Sequence, residues 1–160
     1  MATVNKNLSD YDKTSLPDAA SLRIGVVVSE WNTEITESLF EGAQAALEEA
    51  GLLETNLLRW NVPGSFELVF GCKRMLEKHA PDAVIAIGSV IRGETAHFEY
   101  VCSAVAQGIK DLNVRYNIPV IFCVLTDDNL QQAQDRSGGK HGNKGTEAAV
   151  VALKMAVLGN

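Results

Sequence analysis

The chain has no run of basic residues, no apolar stretch of transmembrane length and only three cysteines in 160 residues. Its 14 lysines and arginines are outnumbered by 20 aspartates and glutamates, for a net charge of −6. That balance argues against nucleic acid and against anionic membrane surfaces as partners. Cys72, Cys102 and Cys123 sit in apolar runs without metal-ligand spacing, so they read as reduced, buried hydrophobes of a cytosolic protein. The polar N-terminus has no apolar core of a signal peptide. A soluble, cytoplasmic protein with no bound metal is expected. Internal repeats and low-complexity tracts are missing too, and the length suits one domain with a full core.

What is present alternates strand and helix. Residues 1 to 20 are polar and aperiodic, an N-terminal tail unless a neighbour orders it, and residues 21 to 160 read as a single domain. Ile24–Val28 is a continuous apolar strand, and 32–50 a helix stopped by Gly51. Leu58, Trp60 and Val62 alternate with Arg59 and Asn61 as an edge strand does. A helix over 65–78, a strand over 83–90, a helix after Thr95, a strand over 120–125 and helices near 129–135 and 146–158 follow. Repeated βα units of this length predict an α/β three-layer sandwich: a four-stranded parallel sheet of flavodoxin-like doubly wound topology.

Residues capable of chemistry cluster at the carboxyl ends of these strands, where such sheets bind ligands. The third strand stops at Arg92-Gly93-Glu94-Thr95, and Thr95 is placed to cap the next helix, with His97 in its first turn. A helix N-terminus, a hydroxyl and a proton carrier of near-neutral range thus meet within a few residues. Each residue also has a plain structural reading. Trp31 is equally a staple over the core or a stacking platform for a heteroaromatic ring. Ser65 and Glu67 suit a helix start, and Arg136 and Lys144 suit a solvated surface. Phe122 by itself reads as core. Glu99, two residues from His97, is placed to orient it.

Four segments, in order, resemble the lumazine synthase family: Glu30-Trp-Asn32, Val62-Pro-Gly-Ser-Phe-Glu67, Gly88-Ser-Val-Ile-Arg-Gly-Glu-Thr-Ala-His97, and Asp135-Arg136 followed by Gly142-Asn-Lys-Gly145. The resemblance covers nearly the whole chain. It implies condensation of 5-amino-6-(D-ribitylamino)uracil with 3,4-dihydroxy-2-butanone 4-phosphate, giving 6,7-dimethyl-8-ribityllumazine, phosphate and water without a cofactor. It implies His97 as the catalytic proton carrier. Trp31, Ser65, Phe66, Glu67, Ser89, Val90 and Ile91 would bind the pyrimidine and ribityl chain, with Phe122 and Lys144 joining them. Glu94, Thr95 and Arg136 would hold the phosphate, with Phe122 and Arg136 reaching in from a neighbouring subunit.

The resemblance further implies a homo-oligomer. Family members form pentamers, and many close these into an icosahedral shell of sixty chains; the turn before the last helix lacks the insertion of purely pentameric members, which favours the shell. Riboflavin synthase would be a further partner. The glycine-rich loop 137–142 would need a neighbouring subunit to order it, and the tail would add along a neighbour's sheet edge. Two other classes suit the layered fold. A receiver-like module would need clustered aspartates after the first strand, where the chain has Ser29-Glu30-Trp31. An inert shell protein would have no reason to keep Trp31, Glu67, Thr95, His97 and Arg136 together.

Overall fold

A computed structural model describes Asn7 and residues 9 to 158. Four strands, β1 (Ile24–Ser29), β2 (Leu57–Val62), β3 (Ala83–Ile91) and β4 (Val120–Asp127), form one parallel sheet in the order β2-β1-β3-β4. Between them run α1 (Thr33–Glu49), α2 (Leu68–His79) and α3 (His97–Arg115). After β4 come α4 (Leu130–Arg136), a short antiparallel pair β5 (Ser137–Gly139) and β6 (Gly142–Asn143), and α5 (Lys144–Ala156). The central strands β1 and β3 are apolar on both faces, and the sheet is accordingly covered on both. Ile24, Val26, Val28, Ile85 and Ile87 meet α1 and α5, while Val27, Val84 and Ala86 meet α2 and α3. This is the doubly wound α/β sandwich that the alternation predicts.

Close approach of α1 and α5 needs Gly145, where a Cβ would lie 1.8 Å from the Leu39 carbonyl oxygen. That contact sets α5 on the sheet, with Ala148, Ala149, Ala152 and Leu153 buried beneath it. Asn143 caps the helix by accepting from Gly145 N–H at 2.8 Å.

Several local expectations are corrected. α2 starts at Leu68 rather than Ser65, because residues 64–67 form a turn in which Glu67 N–H donates to Gly64 C=O and Leu68 N–H to Ser65 C=O. The helix expected over 32–50 runs from Thr33 to Glu49, with Asn32 at its N-cap making no side-chain cap bond. Ala96 takes the N-cap of α3, and Thr95 Oγ1 accepts only a long 3.4 Å bond from His97 N–H. Phe122 is not core: it shares a sheet face with buried Val120 and Val124 but is 38% exposed on the edge strand. The glycine-rich loop closes within its own chain as the β5–β6 hairpin, which Gly138 and Gly142 permit through positive φ of 114° and 81°. Residues 9–20 also pack in their own chain. Tyr11 and Lys13 both donate to the Glu49 carboxylate, Ala19 is buried, and Ser9 Oγ accepts from Asn143 N–H. Residues 1 to 6 and 8 lie outside the described part.

Candidate active site

A cleft of about 690 Å³ opens at the carboxyl ends of β1, β2 and β3. Its walls follow from three corners. At the first, Glu30 N–H donates to Val62 C=O at 2.8 Å, and Asn32 turns left-handed at φ 60°. Asparagine tolerates that conformation better than most residues. Its Nδ2 donates to Ser89 C=O at 3.0 Å, tying the corner to β3. The turn leaves Trp31 at the mouth, 72% exposed, which favours the stacking platform over the staple.

The second corner is the turn Pro63–Glu67. It points Phe66 outward, 58% exposed, and sinks Ser65 to 6%. Ser65 packs against Gly88, where a Cβ would come within 2.7 Å of Ser65 Oγ. Glu67 reaches back over the turn, its Oε2 2.9 Å from where a Gly64 Cβ would stand. Ser89 on β3 is 1% exposed. Neither Ser65 Oγ nor Ser89 Oγ has a hydrogen-bond partner among the described residues. Buried hydroxyls are normally satisfied, so two orphans beside one cleft mark where a polar ligand would bond.

The third corner carries β3 into α3. Val90, Ile91, Gly93, Thr95, His97, Phe98 and Val101 complete the lining. His97 opens a 19-residue helix whose positive end faces the cleft, and its ring makes no hydrogen bond among the described residues. Glu99 makes no hydrogen bond to it. Its carboxylate instead pairs with Arg92, whose hydrogen bond holds it below the ordinary carboxylate range. The cleft thus offers flat aromatic faces and the exposed Glu67 carboxylate at the rim, hydroxyls at the floor, and an imidazole at an anion-favouring helix end. That set suits a polar heteroaromatic ring and proton transfer to a group condensing with it.

Trp31, Ser65, Phe66, Glu67, Ser89, Val90, Ile91, Thr95 and His97 are therefore brought together. Glu94 is exposed on the same loop without lining the cleft. Phe122, Arg136 and Lys144 do not line it. Arg136 Nη1 donates to Gln132 C=O at 3.0 Å and lies 3.7 Å from Asp127 Oδ1. Lys144 pairs with Glu147 at 2.9 Å. Asp127 is 5% exposed with Oδ2 unpartnered among the described residues; burial pushes its pKa up, and Arg136 opposes the rise. Gly64, Gly93, Phe98 and Val101 were missed. Phe98 carries no signal beyond its place beside His97, and Val101 none beyond being an apolar residue one helical turn later. Among the described residues no group of three or more His, Cys, Asp or Glu could hold a metal ion, and no helix is long and apolar enough to cross a membrane.

Comparison with known proteins adds names to this geometry. The family model for 6,7-dimethyl-8-ribityllumazine synthase matches residues 21–160. The 6,7-dimethyl-8-ribityllumazine synthase of Flavobacterium psychrophilum is 62% identical over 158 residues, covering 99% of this chain and 84% of the relative. Its namesake in Christiangramia forsetii is 62% identical over 159 residues, covering 99% and 95%. The Parabacteroides distasonis protein of the same name is 57% identical, covering 97% of each.

Proposed function

The chain belongs to the 6,7-dimethyl-8-ribityllumazine synthase family, and from that premise we propose how its cleft carries out the reaction. The enzyme condenses 5-amino-6-(D-ribitylamino)uracil with 3,4-dihydroxy-2-butanone 4-phosphate. The products are 6,7-dimethyl-8-ribityllumazine, phosphate and water, in the penultimate step of riboflavin biosynthesis. The amine nitrogen attacks the ketone carbon and water leaves to give an imine. Phosphate is then eliminated, and the second nitrogen closes the ring with loss of water.

Trp31 stacks on the pyrimidine, and Ser65, Phe66, Glu67 and Ser89 take the ring edge and ribityl hydroxyls, with Val90 and Ile91 as the apolar wall. The single observation that carries this reading is the pair of orphan buried hydroxyls beneath an exposed tryptophan. His97 moves protons between the amine, the departing water and the departing phosphate, contributing roughly 10²-fold. Holding both substrates in one orientation supplies the larger share, since effective molarities reach about 10⁵ M or more. Thr95, the backbone N–H of Glu94 and the α3 N-terminus meet the phosphate from one side.

Phe122 and Arg136 act in a neighbour's cleft, and Lys144 stands near the ring there. Their failure to line their own cleft supports that division. The active particle is then a pentamer, and the turn without insertion supports a shell of twelve pentamers working in the cytoplasm. Absorbance of the lumazine product, with both substrates present and either omitted, tests the activity. Light scattering or electron microscopy tests the assembly; active pentamers without shells would remove the icosahedral reading.

A further inference from the structure

Arg92 lines no part of the cleft, yet its guanidinium ties together two elements around it. Nε donates to Asp128 Oδ1 at 2.8 Å, at the corner between β4 and α4. Nη1 donates to the Glu99 carboxylate in the first turn of α3. The guanidinium carbon lies 4.2 Å from the centre of the Phe98 ring, and Phe98 lines the cleft next to His97. The backbone is pinned as well, with Arg92 N–H donating to Asp127 C=O at 2.9 Å.

The turn it grips has few other restraints. A Cβ at Gly93 would meet nothing within 4 Å. The N-cap Ala96 makes no side-chain cap, and the Thr95–His97 bond is long at 3.4 Å. Full burial along α3 begins only at Val105, two turns beyond His97. The imidazole therefore sits on a helix end whose first turn is held chiefly through Glu99 and Phe98.

We propose that Arg92 is a positioning residue that clamps the His97-bearing turn to the β4 corner and so fixes where the imidazole stands over the cleft floor. The inference rests on the reading of His97 as the proton carrier. A planar fork can engage two carboxylates in fixed directions while stacking its face on a ring; an ammonium has three donors but neither the fixed fork nor a face to stack. The network is exposed, with the Arg92 side chain at 42%, and exposed pairs add little to global stability. Its consequence is geometric, and displacement by about 1 Å can cost roughly 10²-fold in rate.

The test compares wild type, Arg92→Ala and Arg92→Lys with both substrates, each also in a His97→Ala background. Arg92→Ala is expected to lower kcat about tenfold while moving neither KM beyond about twofold and leaving Tm nearly unchanged. Arg92→Lys should recover only part of that loss. In the His97→Ala background Arg92→Ala should have no further effect, as action through His97 requires. An unchanged kcat in the single variant, or an equal further loss in that background, overturns the proposal. A crystal structure of Arg92→Ala gives an arm independent of turnover: residues 97–99 should shift, and an unmoved turn overturns the proposal. Should Arg92→Ala fail to fold, Glu99→Gln and Asp128→Asn remove the two struts separately and are judged in the same way. Wild type that forms no lumazine would instead sink the functional reading, leaving the structural arm to decide this one.

Discussion

At the carboxyl ends of β1, β2 and β3, side chains capable of chemistry converge on one cleft; at the end of β4 they diverge from it. The first region buries two hydroxyls without partners and holds aromatic faces open to solvent, with Trp31 at 72% and Phe66 at 58% exposure. The second has an edge strand with Phe122 uncovered, a cation close to a nearly buried Asp127, and Lys144 paired with Glu147. Of the second region only Asp127 and Arg136 stand at the sheet end where ligands bind in this architecture; Phe122 lies mid-strand, opposite Ala86. Under the proposed division the second region serves a neighbour's cleft, which is the physical reason to expect subunits to meet there.

The largest expected effect sharpens the contrast. His97→Ala should lower kcat by roughly 10²-fold with both KM values nearly kept, because the substrates still meet in the oriented cleft. Complete inactivity of an assembled variant would mean that His97 does more than move protons. Arg136→Ala should raise the KM for the butanone phosphate by some tens of fold and that for the pyrimidine far less, since a guanidinium fork suits a phosphate dianion. Co-refolding the two variants probes the division directly. Random mixing should restore about one quarter of the sites, each with His97 from one chain and Arg136 from the next. Recovery of no activity would put both residues in one chain's site and erase the contrast.

Smaller effects are expected on either side of it. Trp31→Ala should weaken pyrimidine binding about tenfold through loss of stacking area, measured by titration of the pyrimidine alone. Unchanged affinity would return Trp31 to the role of a staple. Asp127→Asn should raise stability near neutral pH by about 1 kcal/mol, because the buried carboxylate leaves Oδ2 unpartnered. The sign follows from linkage. The folded-state pKa lies above the unfolded value, so the folded state favours the protonated form, and the charge weakens folding as pH rises through that pKa. The gain over wild type should vanish in acid, as denaturation at two pH values would reveal. Destabilisation at neutral pH would show that attraction to Arg136 outweighs burial.

Local pattern determined much of this protein. Apolar runs fixed β1, β3 and β4, and the βα alternation with its glycine and proline stops fixed the doubly wound layers, because burial on two faces leaves a periodicity that needs no partner to be read. Three of the four motifs were legible as one cleft, since they follow β1, β2 and β3 and a parallel sheet brings strand ends together. The rest depended on contacts between residues far apart in the chain. Asn32 turned left-handed because Ser89 offered its carbonyl. Ser65 left the helix for a turn packed on Gly88. Glu99 went to Arg92 instead of His97 because Asp128 and Phe98 hold that guanidinium in place. Phe122 stayed 38% exposed because it stands on the edge strand β4, which pairs with β3 alone. Hydrophobic period reports only whether a position is buried; which polar groups meet is set by the tertiary path that carries them within 3 Å of each other.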